Sequence, residues 1–166
     1  MEALLVPIAI GDRIPDVEVR TMTESGPTPV QTGELLGTGR VVLFGLPGAF
    51  TPTCSDHHLP GYVMRAEELE AKGVDAVYCV SVNDAFVMGA WGNALEVGTT
   101  VTLLADGNGT LTQALDLVMD GTGFGLGLRS QRFAMVIEEG VVTLLNIETK
   151  GGSIEESGVE AVLSAL

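Results

Sequence analysis

Val41-Val42-Leu43-Phe44-Gly45-Leu46 is a continuous apolar run with β-branched residues, and Pro47-Gly48-Ala49-Phe50-Thr51-Pro52 follows it directly. The run reads as a strand buried on both faces, and the Gly/Pro segment as a break before a helix. Downstream, Leu59, Tyr62, Val63, Ala66 and Leu69 recur at three- and four-residue intervals, with Arg65, Glu67, Glu68 and Glu70 between them. That spacing predicts a helix with a solvated acidic face, stopped by Lys72-Gly73 and kinked at Pro60. Val74–Val82 is a second buried strand. Ala85 to about Leu95 reads as a helix carrying Phe86, Val87 and the sole tryptophan, Trp91. Val101–Ala105 reads as a strand and Gly109–Val118 as a helix. Arg132–Glu138 and Val141–Glu148 flank Glu139-Gly140, a hairpin signal. Ser157–Leu166 is a capped amphipathic helix. Upstream, Val17-Glu18-Val19 and a proline-rich turn near Pro27 and Pro29 indicate a short leading hairpin. Strand–helix alternation closed by a hairpin and a helix predicts an α/β fold with a mixed central sheet and helices on both faces. In such sheets the working site lies at the carboxyl ends of the strands, so the segment after Leu46 is the first place to look.

Composition narrows the function classes. At 166 residues the chain suits one domain, 1–166. Twenty-two acidic residues against eight basic ones leave a formal net charge of −14. That balance argues against nucleic acid and anionic membrane as partners, since both require basic faces. With 46% apolar residues and no long polar tract, disorder is not expected. Two cysteines make neither a disulfide framework nor a four-thiolate zinc site. The opening MEALLVPIAIGDRIP has no basic leader, and Pro7 breaks its apolar run, so neither a signal peptide nor an anchor is expected. The default compartment is reducing and cytoplasmic, with both thiols free.

One of those thiols stands at a particular place. In Thr51-Pro52-Thr53-Cys54, Thr is a favoured N-cap and Pro a favoured first helical residue, which makes Cys54 the third. A capping box would place a Glu or Gln side chain there; here the candidate acceptor is sulfur. A thiolate gains from the unpaired N–H groups and the positive end of the dipole, and Thr51 is close enough in sequence to hydrogen-bond it. The helix is not sufficient. A thiol of ordinary pKa, about 8.5, is only about 3% ionised at pH 7, and a helix end contributes about 0.3–1 kcal/mol. A nearby cation is required, and cations are scarce: between residues 74 and 149 there are only Arg129 and Arg132. Arg132 leads into the apolar run Phe133-Ala134-Met135-Val136, an odd setting for a permanent charge. A charge-assisted hydrogen bond from it would add about 1.5–3 kcal/mol. The bland alternatives are a buried, inert Cys54 and a solvated Arg132.

These residues also form a pattern. Phe44-Gly45-Leu46-Pro47-Gly48-Ala49-Phe50-Thr51-Pro52-Thr53-Cys54-Ser55, followed by His58-Leu59-Pro60-Gly61, resembles the active-site segment of the peroxiredoxins, and most closely their type II, or five-type, subgroup. The Pro-x-x-x-Thr-x-x-Cys signature is met by Pro47, Thr51 and Cys54. Ser81-Val82-Asn83-Asp84, Leu104-Ala105-Asp106 and Arg129-Ser130-Gln131-Arg132-Phe133 resemble the subgroup in the same order, so the similarity spans about residues 5–166. The resemblance implies a thioredoxin-like fold and reduction of hydrogen peroxide and organic hydroperoxides. It implies that Cys54 is the peroxidatic cysteine, that Thr51 and Arg132 position the peroxide, and that Pro47 shapes and shields the pocket. It also implies a homodimer and no bound cofactor.

The resemblance is incomplete for the second half-reaction. Some five-type members carry a resolving cysteine in the C-terminal segment, whereas Asn146–Ser164 here contains none. Cys79, within Val77-Tyr78-Cys79-Val80, reads as a buried mid-strand residue. An external thiol is then expected as reductant: glutathione, with or without glutaredoxin, with thioredoxin left open. The competing readings are a peroxide sensor or redox-switched binding module using the same cysteine, and a Cys/His hydrolase built on Cys54 and His58. His57 and His58 are adjacent and should face different sides in surface or packing roles. The glycines of Gly121-Thr122-Gly123-Phe124-Gly125-Leu126-Gly127 read as a mobile loop, not a phosphate loop. Phe50, Phe86 and Trp91 read as core, unless they flank a homodimer contact.

Overall fold

The apolar runs become strands stacked side by side. The computed structural model describes residues 7–150 and 153–166; residues 1–6, where the leader reading begins, lie outside the described residues. In chain order the elements are β1 (Glu18–Thr23), β2 (Gly26–Gln31), α1 (Thr32–Leu35), β3 (Arg40–Gly45), a π-helical turn (Cys54–His58), α2 (Leu59–Met64), α3 (Ala66–Ala71) and β4 (Ala76–Ser81). They continue as α4 (Ala85–Ala94), β5 (Thr102–Ala105), α5 (Thr110–Leu115), β6 (Val118–Asp120), a 3-10 turn (Thr122–Phe124), β7 (Leu128–Ser130), β8 (Phe133–Glu138), β9 (Val141–Ile147) and α6 (Val159–Ala165).

Seven strands form one sheet in the order β2-β1-β5-β4-β3-β8-β9. β3, β4 and β5 are parallel; β8 runs antiparallel to β3, and β9 to β8. The sheet is mixed, as the alternation implied. Period-2 alternation then divides the core. Val42, Phe44, Val77, Cys79, Ala134 and Val136 point to one face, where they meet α2, α3, α4 and α6. Val41, Leu43, Tyr78, Val80, Met135 and Ile137 point to the other, where they meet the α1 and α5 side. Helices therefore cover both faces.

Several boundaries differ from the sequence reading. The helix expected to reach Val118 stops at Leu115, because Asp116 adopts a left-handed conformation (φ 53°) that ends the helical ladder. Val118–Asp120 then pairs with Leu128–Ser130, so the glycine-rich segment read as a loop is the connection of a small two-stranded hairpin. Pro27 and Pro29 are not the turn of the leading hairpin. They lie within β2, paired with Met22 and Arg20. β2 is an edge strand, where a missing N–H costs no ladder bond. The Glu139-Gly140 signal was sound: both residues have positive φ (49° and 82°), as a two-residue hairpin turn requires.

β3 and β8 meet at a tight cross-strand pair, Gly45 opposite Phe133. A Cβ at Gly45 would lie 2.1 Å from the Phe133 ring. This pair sets the spacing between the end of β3 and the residue just before β8, Arg132. We expect Gly45→Ala to destabilise the fold by about 1–3 kcal/mol, lowering the melting temperature by roughly 2–4 °C per kcal/mol. Thermal unfolding followed by circular dichroism checks this, and an unchanged midpoint would contradict the packing argument.

Candidate active site

Cys54 opens the helical segment that follows β3. The Ser55 amide donates to the Thr51 carbonyl (2.9 Å), which makes Thr51 the residue that accepts the first helical bond, as the cap reading required. The segment is not one kinked helix. It begins as a π turn, continues as α2, breaks at Arg65 and resumes as α3. Pro60 has no N–H to return to an upstream carbonyl, and the wider π turn lies immediately before it. Cys54 and His58, the two ends of that turn, are both buried, while His57 between them is exposed. The adjacent histidines do face different sides.

Arg132 meets them from the sheet. It precedes β8 and shares a face with Ala134 and Val136, the face occupied by Cys54. Its side chain is buried, with 8% exposure for the residue. Nη2 donates to Cys54 Sγ at 3.1 Å, and Nη1 donates to His58 Nδ1 at 2.8 Å. Among the described residues no carboxylate oxygen lies within ion-pair distance of Arg132. A guanidinium taken out of water without an anion is costly. Besides His58 Nδ1, the Cys54 sulfur is the side-chain acceptor the site provides. This contact overturns the solvated-charge reading of Arg132, and Cys54 is buried, as its bland reading had it, but against a cation.

His58 is more than the packing residue expected from sequence. Arg132 has only donors, so Nδ1 must be the acceptor. Nε2 faces the Ser157 carbonyl at 3.0 Å, so Nε2 must carry the proton. The ring is therefore neutral, and burial, reinforced by the Arg132 charge, lowers its pKa from 6.5 to about 3. It contacts Phe44 (ring centroids 4.9 Å apart), which itself stacks on Tyr62 at 4.0 Å. Tyr62 donates its hydroxyl to the same Ser157 carbonyl at 2.7 Å. With Nδ1 engaged by Arg132, His58 does not take a proton from Cys54, and the Cys/His hydrolase reading fails.

The loop from Pro47 to Thr51 is pinned on both sides. Arg129 donates Nη1 to the Pro47 carbonyl (3.2 Å) and Nε to the Leu126 carbonyl (2.9 Å). The Ala49 amide donates to Asn83 Oδ1, which also accepts from Ser81 Oγ. The Thr51 hydroxyl donates to the Gly48 carbonyl at 2.7 Å and does not bond the sulfur, contrary to one expectation. Trp91 is fully buried and donates Nε1 to Ser55 Oγ beside Cys54 (2.9 Å). Phe50 and Phe86, expected in the core, are instead 57% and 69% exposed. Glu67, Glu68 and Glu70 are exposed, as read. Cys79 lies wholly buried in β4. Burial pushes its thiol up, and the negative Cys54 sulfur adds to that, so it stays protonated. Arg129 and Asn83 stood in segments that carry the resemblance, and Arg129 is one of two cations between residues 74 and 149, but the contacts they make, and those of Tyr62 and Ser157, had no sequence signal. Among the described residues no group of three or more His, Cys, Asp and Glu is placed to hold a metal, and no helix is long and apolar enough to cross a membrane.

The neutral His58 has a thermodynamic consequence. Its folded pKa lies below the unfolded value, so the unfolded chain binds the extra proton. Its contribution to stability is present above about pH 6.5 and is lost as pH falls toward 3. Replacing His58 with Asn should flatten the fall in melting temperature between pH 6.5 and 4, measured at matched ionic strength. Identical slopes in both proteins would show that His58 is not held neutral.

Comparison with known proteins agrees with this geometry. The Redoxin family model matches residues 9–163. The chain is 47% identical to Peroxiredoxin-2C of Oryza sativa subsp. japonica, covering 98% of this chain and all of that one. It is 44% identical to Peroxiredoxin-2B of Arabidopsis thaliana over the same shares. Relatives from chloroplasts also match, including Peroxiredoxin-2E-2 of Oryza sativa subsp. japonica at 48% identity over 98% of this chain and 74% of that one. Among solved structures, reduced Prx3 of Vibrio vulnificus in complex with hydrogen peroxide superposes with a TM-score of 0.90 at 51% identity, covering 95% of this chain and 98% of that one. Peroxiredoxin 5 of Alvinella pompejana superposes at 0.83 with 30% identity, covering 96% and 97%. With a thioredoxin-like sheet, a buried cysteine at its helix start and an arginine bonded to the sulfur, the chain belongs to the redoxin family and, within it, to the type II peroxiredoxins.

Proposed function

We propose that this peroxiredoxin reduces hydrogen peroxide and organic hydroperoxides at Cys54 and is recycled by an external thiol, glutathione acting alone or through glutaredoxin. The observation that carries the reading is the 3.1 Å contact from Arg132 Nη2 to Cys54 Sγ, made by a buried cation with no carboxylate partner among the described residues.

The chemistry follows from the charges. The Cys54 thiolate attacks the terminal O–H oxygen of the hydroperoxide. An S–O bond forms, the O–O bond breaks, and the leaving alkoxide or hydroxide takes a proton from solvent. Sulfur is oxidised to sulfenic acid and the peroxide is reduced to an alcohol or water. Negative charge moves from sulfur to the leaving oxygen, so a donor beside the sulfur is already near the charge that develops. Arg132 fills that role. The Thr51 hydroxyl gives its proton to Gly48, which leaves its lone pairs to accept the peroxide O–H. Pro47 walls the pocket and is itself held by Arg129. One thiol then displaces water from the sulfenic acid to give a mixed disulfide. A second thiol releases Cys54 and leaves as the disulfide of the reductant.

Cys79 is a poor resolving thiol because it is buried and protonated. Recycling from outside matches the absence of cysteine from the C-terminal stretch. Residues 1–166 act as one domain in this reading, in a reducing compartment such as the cytoplasm. Phe50, Phe86, Phe124 and Leu128 leave large apolar surfaces exposed, which supports a homodimer. Sedimentation equilibrium should give twice the chain mass, and a double change Phe86→Glu with Phe124→Glu should give the monomer. A wild-type monomer at micromolar concentration would remove the dimer from the reading.

Cys54→Ser should abolish peroxide turnover, Cys79→Ser should keep most of it, and Arg132→Ala should slow oxidation by at least about tenfold, equivalent to about 1.4 kcal/mol or more. A steady-state assay with glutathione, glutaredoxin and a peroxide reads all three. Many turnovers per Cys54 support the enzyme. A single oxidation without recycling by any thiol would favour the sensor, and equal losses in the two cysteine variants would make Cys79 a resolving thiol.

A further inference from the structure

We propose that the cavity beside Arg129 is a carboxylate subsite, and that the carboxylate it takes is the glycine end of glutathione. This rests on the reading of glutathione as the thiol that recycles Cys54. The cavity measures about 200 Å³ and lies between β7, α5 and the loop from Gly107 to Gly109. Arg129, Asn108, Thr112 and Gln113 supply its polar wall, and Val82 and Val118 its apolar one. Among the described residues no acidic side chain lines it.

Arg129 brings an unanswered charge to that wall. It is partly buried and donates Nε to the Leu126 carbonyl and Nη1 to the Pro47 carbonyl. Both acceptors are neutral. Among the described residues Arg129 has no ion pair, in a chain with 22 acidic groups. Asp106, just ahead of the Gly107–Gly109 loop, does not neutralise it. That carboxylate is buried and accepts from the Leu111 and Thr112 amides and the Thr112 hydroxyl. The two carbonyl bonds leave Arg129 Nη2 for a ligand, and a guanidinium favours a carboxylate.

The cavity adjoins the reaction pocket. A Cβ at Gly48 would meet Arg129 Nη1 at 2.6 Å and Thr51 Cγ2 at 3.4 Å, so the guanidinium and the threonine flank the same bare glycine. In glutathione the thiol and the glycine carboxylate stand one residue apart, roughly 3.5 Å of extended chain. That spacing suits a site where one glycine separates the cation from the pocket. Cys54 is fully buried, so a bulky thiol gains from being held at the mouth. The formal net charge of −14 repels anions. A preference for glutathione over its neutral ester therefore runs against the overall field and requires a local cation.

The test compares glutathione with its glycine monoethyl ester, which keeps the thiol and loses the carboxylate charge. The readout is the second-order rate at which each thiol bonds to the Cys54 sulfenic sulfur and displaces water, on the full chain. We expect the free acid to react at least about fivefold faster with the wild-type protein, as a partly exposed ion pair allows. In Arg129→Gln the two rates should agree within about twofold. Gln113→Glu places a carboxylate in the cavity without removing Arg129, and should erase the preference to the same extent. A loosened Pro47 loop would slow both thiols alike and leave the ratio unchanged. Leu128 on the rim belongs to the face read as a dimer contact, so the variants are compared at the wild-type assembly state. Equal rates in the wild-type protein, or a preference that survives in either variant, would overturn the proposal. A fatty-acid hydroperoxide and its methyl ester form a second arm, on the oxidation step. A preference for the acid there, with none among the thiols, would give the cavity to the peroxide and overturn the assignment to glutathione. A binding measurement separates the subsite from the recycling reading. Unreactive S-methylglutathione should shift the nitrogen-15 correlations of Arg129 Nε and the Gln113 side-chain amide in the reduced protein, and its glycine ethyl ester should not. Shifts from both or from neither would overturn the subsite. The expected shifts without any reduction of Cys54 by glutathione would uphold the subsite and place the fault in the recycling reading.

Discussion

A buried guanidinium needs an electron-rich partner, and in this molecule that partner is the sulfur of Cys54. Arg132 reaches Cys54 Sγ at 3.1 Å with no carboxylate within ion-pair distance among the described residues. Had an aspartate or glutamate stood beside Arg132, the charge would be neutralised and the sulfur would lose its stabiliser. The chain carries 22 acidic residues, so the absence of one at this place is informative. Glu67, Glu68 and Glu70 lie on an outer face, the buried Asp106 is engaged by Leu111 and Thr112 at the start of α5, and the one carboxylate of the local network, Glu148, accepts from Ser157.

The sheet makes the contact possible. Residues separated by two along a strand share a face, so Ala134 and Val136 carry Arg132 to the same side as Phe44 and Cys79. The antiparallel pairing of β3 with β8 brings the start of β8 beside the end of β3, where the loop holding Cys54 begins. Gly45 opposite Phe133 allows the two strands to close at that end. The helix start then presents sulfur to the guanidinium. Three local choices in distant parts of the chain meet at one atom.

Much of this was readable from residue types alone. Buried strands, the hairpin at Glu139-Gly140 and the cap at Thr51 each follow from local chemistry, and local chemistry is what a sequence displays. Arg132 stood out because a permanent charge leading into Phe133-Ala134-Met135-Val136 conflicts with its neighbours. His58 stood out only as a candidate base beside Cys54, and its contact with Arg132 did not. Its function depends on a π turn that places it with Cys54 and on a carbonyl 99 residues away, and neither leaves a mark on residue identity. The exposure of Phe50, legible in the sequence only as the alternative of a dimer contact, has a related cause. Phe50 has a left-handed backbone (φ 64°), which turns it outward from a loop whose composition gives no sign of it. The hairpin built by β6 and β7 was hidden by glycines that looked like a flexible tract.

The reaction removes the anion on which the site depends. Oxidation converts the thiolate to a neutral sulfenic acid, while the guanidinium stays charged at every pH at which a protein folds. A cation left with no partner at all would favour water and pull the site open. The His58 imidazole limits that cost, because its Nδ1 accepts from Arg132 whether the sulfur is charged or neutral. A carboxylate in that position would hold the cation more tightly in both states, but it would compete with the thiolate in the reduced one. A neutral acceptor satisfies one arm of the guanidinium and leaves its charge free for the sulfur. The depressed basicity of His58 is therefore part of the same arrangement: a protonated ring would present a donor to a donor, and Arg132 would lose its fixed partner.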